Sequence, residues 1–263
     1  MKSDRLQEMK KLFLERKKIT NTALCQIFDV SIETVRRDIN ILENEGFIRK
    51  IYGGACLAEE QDGILPLEKW DTRLDKNENC KRLISAAAAQ QIPDGATVFL
   101  DTGTTVFEIA PFLRGKKNLT ILTNSLRLAT ELGMWEDMTV YCIGGLIKAD
   151  TLSASGFFAA ELLSYFYKID YAVISCDGFI PENGTTEYSI ELSMLKKLVL
   201  DKAGRIIALV DHGKFGISGS CLCCPTQRID LLVTDEQLPT GMLRKLKDLP
   251  CEVIIASEHT VVL

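Results

Sequence analysis

The sequence predicts an α/β protein in two parts, a small helical unit closed by a hairpin and joined to a larger, mostly parallel α/β domain. Residues 19–56 carry two short amphipathic segments separated by a turn and followed by a glycine-flanked hairpin pattern. Beyond residue 80, short apolar runs alternate with helix-length segments, the pattern of a parallel sheet covered on both faces. Charge divides in the same place. Residues 1–56 hold 11 Lys and Arg against 8 Asp and Glu, and the rest of the chain holds 20 against 28, within a net charge of −5. The expected boundaries are 1–57 for the small unit, 58–79 for a linker and 80–263 for the large domain.

In the small unit Thr20 can cap a helix whose apolar residues Ala23, Leu24 and Ile27 recur at three-to-four spacing. Asp29-Val30 breaks that pattern, and Ser31 caps a second helix with Glu33 in its first turn. On this helix Val35, Ile39 and Leu42 fall on one face and must look inward. Ser31, Glu33, Thr34, Arg36 and Arg37 gather at its N-terminal end, largely off that face. Helix, tight turn, helix and hairpin outline a winged helix-turn-helix, whose second helix enters the major groove of DNA. Two arginines on a helix usually describe a solvated face. Here they follow a capped turn and accompany the wing pair Arg49 and Lys50, and arginine suits bidentate contact with guanine. Ser31, Thr34 and Arg36 are expected near bases, and Arg37, Arg49 and Lys50 on phosphates. Lys10, Lys11, Arg16, Lys17 and Lys18 add backbone contacts or stay solvated. The positive excess is modest, so binding to double-stranded operator DNA calls for two copies in a dimer or tetramer.

After Leu57 the hydrophobic pattern weakens. Glu59, Glu60, Asp62, Gly63 and Pro66 read as linker, and Pro66 is placed to start a polar helix over Leu67–Asn77. Lys81–Gln91 is helical, followed by a strand at Thr97–Leu100 and a helix at Val106–Leu113. A strand at Leu119–Leu122, a helix at Leu126–Leu132 and a strand at Thr139–Ile143 come next. Helices are expected at Phe157–Phe166 and Ile190–Lys202, and further strands at Tyr171–Ser175, Ile206–Val210, Leu231–Thr234 and Val253–Ala256.

Ligands of such sheets bind at the carboxyl ends of the strands, and small polar residues collect there in this chain. Asp101, Thr102, Gly103, Thr104 and Thr105 offer backbone N–H groups, hydroxyls and a helix start suited to an anion. Gly103 permits close backbone approach. Thr123, Asn124 and Ser125 add donors, Gly144-Gly145 opens a third turn and Asp177-Gly178 a fourth. Asp211-His212-Gly213-Lys214 brings a cation, Lys214. Each turn taken singly is ordinary capping; five at five strand ends describe a pocket. Anion donors on one side and carboxylates Asp101 and Asp177 on the other fit a phosphorylated sugar.

Both regions resemble one family. The run VSIETVRRDINILENEGFIRKIYGGA is similar to the N-terminal signature of the DeoR family of bacterial repressors. It places Thr34-Val35-Arg36-Arg37-Asp38 on the second helix, then Glu43 and Gly46, then Lys50, Gly53, Gly54 and Ala55. The wing residue is usually arginine in that family; Lys50 keeps the charge and loses the planar fork. The later series D-T-G-T-T, T-N-S, G-G, D-G, G-T-T and D-H-G-K-F-G resembles the family's effector domain. Gly213 stands where serine is usual, and Cys176 where a small residue often precedes Asp-Gly. The resemblance covers nearly the whole chain. It implies a larger domain related in fold to ribose-5-phosphate isomerase, a phosphorylated sugar as inducer, and repression of a sugar-metabolism operon.

The competing reading is a sugar-phosphate isomerase with an appended DNA-binding domain. Isomerisation needs a carboxylate base and an acid or cation at the oxygen. Isomerases that resemble this domain carry a second carboxylate after the residue matching Asp177 and a lysine at the next glycine-rich turn. Here those stretches read Asp177-Gly178-Phe179-Ile180 and Asn183-Gly184-Thr185-Thr186, without either group; Glu187 and Glu191 lie beyond. Binding without turnover is expected. A DNA scaffold without a ligand leaves the polar strand ends unexplained. His212 reads as a hydrogen-bonding loop residue, and His259 has no assigned role.

The nine cysteines are expected to be free thiols. The cluster Cys221-Leu222-Cys223-Cys224 lacks the paired spacing of a zinc site and reads as buried strand thiols. No metal and no cofactor is expected. With no secretory signal and no membrane-length apolar run, a cytoplasmic protein without membrane contact is expected.

Overall fold

Val35, Ile39 and Leu42 repeat at three-to-four spacing along one helix and all three are buried, which sets the core of the N-terminal unit. The computed structural model describes residues 2–16, 18–44, 47–51, 54–57, 70–238, 241–257 and 261–262. They belong to two compact units, Met1–Pro66 and Leu67–Leu263.

The first unit runs α1 (Lys2–Arg16), β1 (Lys18–Thr20), α2 (Asn21–Phe28), α3 (Ile32–Asn44), β2 (Ile48–Ile51) and β3 (Gly54–Leu57). The Thr20 side chain accepts the Ala23 N–H at 3.2 Å to start α2. Asp29, in the left-handed region at φ 46°, ends it. Ser31 Oγ then accepts the Thr34 N–H at 3.3 Å and opens α3. Strands β1, β3 and β2 pair antiparallel in that order. Gly54 is obligatory there, because a Cβ would meet the Ile19 carbonyl oxygen at 2.3 Å. Met9 and Phe13 of α1 close over Leu24, Val35, Ile39, Leu42 and Ile48. Ile27, one of the apolar residues at three-to-four spacing, is 45% exposed. The stripe of α2 runs instead from Leu24 to Phe28, one turn on, and Phe28 packs against the core.

The second unit begins with α4 (Trp70–Asp75) and α5 (Glu78–Gln90), so helical structure lies inside the stretch read as linker. The expected helix over 67–77 is confined to α4 among the described residues. Next come β4 (Thr97–Leu100), α6 (Thr104–Phe107), α7 (Ala110–Leu113), β5 (Leu119–Thr123), α8 (Leu126–Leu132) and β6 (Met138–Cys142). A hairpin of β7 (Leu146–Lys148) and β8 (Ser153–Ser155) leads to α9 (Phe157–Ser164) and β9 (Ile169–Ile174). Then follow β10 (Gly178–Ile180), β11 (Gly184–Glu187), α10 (Ile190–Lys202), β12 (Ala203–Leu209) and β13 (Cys221–Pro225). The chain continues through β14 (Leu231–Asp235), α11 (Met242–Lys247), β15 (Glu252–Ala256) and β16 (Val261–Val262).

All seven expected strands lie in one sheet, ordered β16-β15-β14-β12-β9-β4-β5-β6. Every neighbouring pair is parallel except β15 with β16. Because side chains alternate across a strand, each inner strand feeds two cores. Val98, Leu100, Ile121, Val173, Ile207 and Val233 pack under α5 to α8. Phe99, Leu122, Ala172, Ile174, Ala208 and Leu232 pack with Leu163 of α9, Leu195 and Val199 of α10 and Leu246 of α11. That double burial is why these strands read as unbroken apolar runs.

One expected helix is broken, and one small sheet is unforeseen. The helix over Val106–Leu113 is split into α6 and α7, with a proline in the first turn of α7. Proline fits a first turn and lacks the N–H that would continue a helix from upstream. The antiparallel sheet β10-β11-β13 was not anticipated. Its central strand, Gly-Thr-Thr-Glu, has no apolar residue to announce it, although all four residues are buried.

Candidate functional site

In the first unit, the N-terminal end of α3 presents the residues singled out in the sequence. Ser31 Oγ lies 3.2 Å from Thr34 Oγ1, which fixes both hydroxyls beside the helix start. Arg36 and Arg37 are exposed. The next residue of the motif does the opposite: Asp38 is fully buried, and its Oδ2 accepts Arg5 Nε of α1 at 2.7 Å. Arg-Arg-Asp thus sends two cations outward and one carboxylate inward. Arg49 and Lys50 stand on β2 opposite Cys56 and Ala55 of β3; their side chains lie outside the described residues.

In the second unit, parallel register brings the strand ends to one level. Leu100 pairs with Thr123 and with Val173, Thr123 pairs with Cys142, and Ile174 pairs with Ala208. The residues that follow share the carboxyl edge of the sheet: Asp101–Thr105, Asn124-Ser125, Gly144-Gly145, Asp177-Gly178 and Asp211–Lys214. Asp101 to Thr105 and Thr123 to Ser125 are all buried. Asp101 Oδ1, Thr102 Oγ1, Asn124 Oδ1 and Ser155 Oγ are buried without a hydrogen-bond partner in the protein. Unpaired buried polar atoms are rare and costly, so four at one edge of a sheet mark a polar site.

Several candidates are more committed than their sequence context suggests. Asp101 Oδ2 accepts the Ser175 N–H at 3.0 Å and lies 2.6 Å from Lys196 Nζ of α10. Lys196 Nζ also donates to the Ser175 carbonyl at 2.8 Å and to Glu187 Oε1. Asp101, Lys196 and Glu187 are each at most 4% exposed. Burial outweighs the pull of Lys196 and holds both carboxyls above the usual carboxylate range, while their negative charge holds the lysine protonated. Asp177 Oδ2 accepts the Tyr188 N–H at 3.0 Å, and Oδ1 lies 3.9 Å from Arg73. Gly103 serves strand packing, since a Cβ there would meet Ser175 Oγ at 2.1 Å. Ser125 Oγ caps α8 through Leu128 N–H at 3.3 Å, and its own N–H donates to Thr123 Oγ1. With α6 only four residues long, the helix start after Gly103 supplies little dipole for an anion.

Besides Lys214, cations reach this region from elements the sequence did not flag. Lys81 on α5 is 4% exposed, and its amine donates to the Arg73 carbonyl. Burial brings it down to about 8; Asp211 opposes that shift, and the positive charges of Lys214 and Arg73 reinforce it. Ser85, one turn on, donates to the Thr105 carbonyl at 2.6 Å, which sets this face of α5 beside the Asp101–Thr105 turn. Trp70 of α4 lies under two guanidiniums, with Arg73 at 5.8 Å and Arg127 at 5.3 Å from its ring centroid. Arg73, Lys81 and Lys214 thus share one electrostatic neighbourhood.

Elsewhere, Cys223 and Cys224 are buried strand residues of β13. A depression of about 450 Å³ opens at the opposite, amino edge of the sheet, lined by Pro93, Asp94, Lys168, Asp170 and Arg205 among others. Its carboxylate Asp170 already accepts the Thr97 N–H and pairs with Lys168. The strand-end site is therefore the stronger candidate. No helix among the described residues is long and apolar enough to cross a membrane.

A winged helix-turn-helix followed by a parallel α/β domain with a polar carboxyl edge defines a transcription regulator with a second, separately folded domain. Comparison with known proteins gives the family. The DeoR-like helix-turn-helix domain matches residues 5–61 and the DeoR C terminal sensor domain matches residues 76–236. The HTH-type transcriptional regulator GolR of Listeria innocua is 31% identical, over 92% of this chain and 94% of its own length. IolR of Bacillus subtilis is 35% identical over 90% and 93%. The glycerol-3-phosphate regulon repressor of Escherichia coli is 27% identical over 88% and 89%. The chain belongs to the DeoR family and is a DNA-binding transcriptional repressor. Among solved structures, ribose 5 phosphate isomerase A from Neisseria gonorrhoeae aligns at TM-score 0.39 and 15% identity, over 51% of this chain and 52% of that one. The eIF-2B protein of Pyrococcus horikoshii aligns at 0.40 and 17%, over 72% and 58%.

Proposed function

We propose that this repressor controls a sugar-metabolism operon and releases its DNA when a phosphorylated sugar binds at the carboxyl edge of the parallel sheet. The observation that carries the reading is the grouping of Arg73, Lys81 and Lys214 beside a polar strand-end site with unpaired buried oxygens. Three cations suit a phosphate dianion, and the hydroxyls and amides of Thr102, Thr104, Thr105, Thr123, Asn124 and Ser125 suit a polyol. The name of the Escherichia coli relative, a glycerol-3-phosphate regulon repressor, fits a phosphorylated polyol as effector class. Operator contact falls to Ser31, Thr34 and Arg36 at base edges and to Arg37, Arg49 and Lys50 at phosphates, in two copies on paired half-sites.

The isomerase alternative is weaker on physical grounds. Asp101 and Glu187 are both committed to Lys196, so neither carboxylate is free to act as base. The relatives are named as transcriptional regulators.

Thermal unfolding of the full chain against a panel of sugar phosphates and their unphosphorylated parents tests the reading. A native-state ligand raises the melting temperature by mass action. The expected result is a rise with one phosphosugar, absent with its parent sugar and diminished in Lys214→Ala, and release of operator DNA by the same compound. No shift across a broad panel would sink the phosphosugar reading and leave the winged helix untouched.

A further inference from the structure

We propose that Cys80, His212 and Asp235 form a divalent metal site in the α/β domain, with zinc the cation their donors suit best. Spacing in the sequence hides this site, because the residues come from three elements. Cys80 lies in the first turns of α5, His212 follows β12 and Asp235 ends β14. Strands β12 and β14 are parallel neighbours, paired at Leu209 and Val233, which brings the two following turns together. One thiol, one imidazole nitrogen and one carboxylate oxygen all lie within 4.8 Å of one another.

The geometry suits a tetrahedral ion. Zinc bonds of ~2.0–2.3 Å place tetrahedral donors roughly 3.3–3.7 Å apart, so the three atoms need to shift by only about 1 Å. His212 Nδ1 already stands 2.9 Å from Asp235 Oδ1. The carboxylate is held in place from behind. Its Oδ2 accepts the His212 N–H at 2.8 Å and its Oδ1 the Gln237 N–H at 2.9 Å, which orients the group while leaving a lone pair on each oxygen. Outer bonds of this kind orient metal ligands.

Charge and access agree with the geometry. Asp211 and Glu236 add negative potential that reaches the Cys80 thiol. Cys80 and Asp235 are buried, whereas the His212 side chain is 22% exposed, leaving an entry side and a fourth position for water. Thiolate, imidazole and carboxylate together favour zinc over magnesium or calcium, which prefer all-oxygen sites. On binding, the thiol S–H breaks, its proton goes to solvent and the sulfur–metal bond forms. The imidazole proton moves to Nε2 so that Nδ1 presents its lone pair. Nothing is oxidised or reduced. The ion would clip the start of α5 to the ends of β12 and β14.

Cobalt(II) is the probe. Full-length protein, stripped with chelator and dialysed, is titrated with Co²⁺ and then with Zn²⁺. The expected result is one cobalt per chain, a near-ultraviolet thiolate-to-cobalt band, visible bands of four-coordinate intensity, and loss of all of them on adding zinc. Cys80→Ser removes the near-ultraviolet band, and His212→Asn, on a partly exposed turn, weakens cobalt at least about tenfold. Circular dichroism shows that each variant remains folded. Absence of a thiolate band at stoichiometric cobalt overturns the site. So does a band that persists in folded Cys80→Ser, which would place the thiolate among the other cysteines, or an unchanged affinity in His212→Asn.

Discussion

Arg5 Nε donates to the buried Asp38 Oδ2 at 2.7 Å, so α1 is pinned to α3 from the side opposite its two exposed arginines. The two partners are unequal. Arg5 is 23% exposed at its side chain and can turn to water, whereas Asp38 at 1% cannot. Removing the cation is therefore the more damaging change. Arg5→Met is expected to cost the first unit about 2 kcal/mol, after allowance for partial exposure, a loss of amide protection of roughly thirtyfold in α1 and α3. Asp38→Asn, which keeps an acceptor, should cost about half as much. Hydrogen exchange on the full chain measures both, and equal protection in Arg5→Met and the parent would refute the pin.

Arg36 and Arg37 should separate in DNA binding. Loss of a base contact in Arg36→Ala is expected to cost about 1–3 kcal/mol and to relax preference at one base pair of the operator. Arg37→Ala should weaken all sequences alike and lower the salt slope by about 1. Binding titrations at several salt concentrations, with operator and scrambled duplexes, distinguish the two. The reverse pattern would exchange their roles.

Lys196 sits between two buried carboxylates, so Lys196→Met strands both. The expected loss is about 3–5 kcal/mol near neutral pH. Its pH dependence has a definite sign. Without the lysine, the carboxyls of Asp101 and Glu187 are raised further by burial, and a carboxyl raised in the folded state gives stability at low pH that is lost as pH rises. The variant's deficit should therefore shrink on acidification. Denaturant midpoints on acidification, flat in the variant relative to the parent, would contradict the compensation of these two buried carboxyls by Lys196.

On the proposed effector site, Lys81 should give binding a pH limit. Burial brings its amine to about 8, so it is cationic below that pH and neutral above it. A phosphate dianion should bind well near neutrality and lose affinity above pH 8, by up to about tenfold per pH unit. Lys81→Arg, charged throughout, should flatten the profile. Calorimetric titration of the phosphosugar that raises the melting temperature decides it, and an unchanged slope in the arginine variant would remove Lys81 from the site.

Where the sequence was legible, one local rule governed. The inner sheet strands announce themselves because both their faces are buried, the edge strand β6 only by its position in the alternation, and Thr20 and Ser31 because a cap leaves a residue-specific mark. The position of the polar residues at the strand ends follows from the same strand boundaries. Lys196 was not, because Leu195, Lys196 and Lys197 look like any amphipathic helix edge; its burial comes from β11, a strand without an apolar residue. Lys81 was hidden in the same way, reading as a solvated helix lysine until α5 met the Asp101–Thr105 turn. Spacing alone leaves the inner face of α2 open between Ile27 and Phe28, because a short helix offers two near-equal stripes, and packing selects Phe28.

The two-core sheet also governs how such a chain can change over evolutionary time. One residue inserted within β9 or β12 would reverse every later side chain in that strand, sending Val173 or Ile207 into the wrong layer. An insertion in a turn beyond the strand end carries no such penalty. Innovation is therefore channelled to the rim, where Gly144 has open space around it while Gly103 does not. A lineage can lengthen those turns, and so reshape the proposed effector site, while inheriting its architecture unchanged.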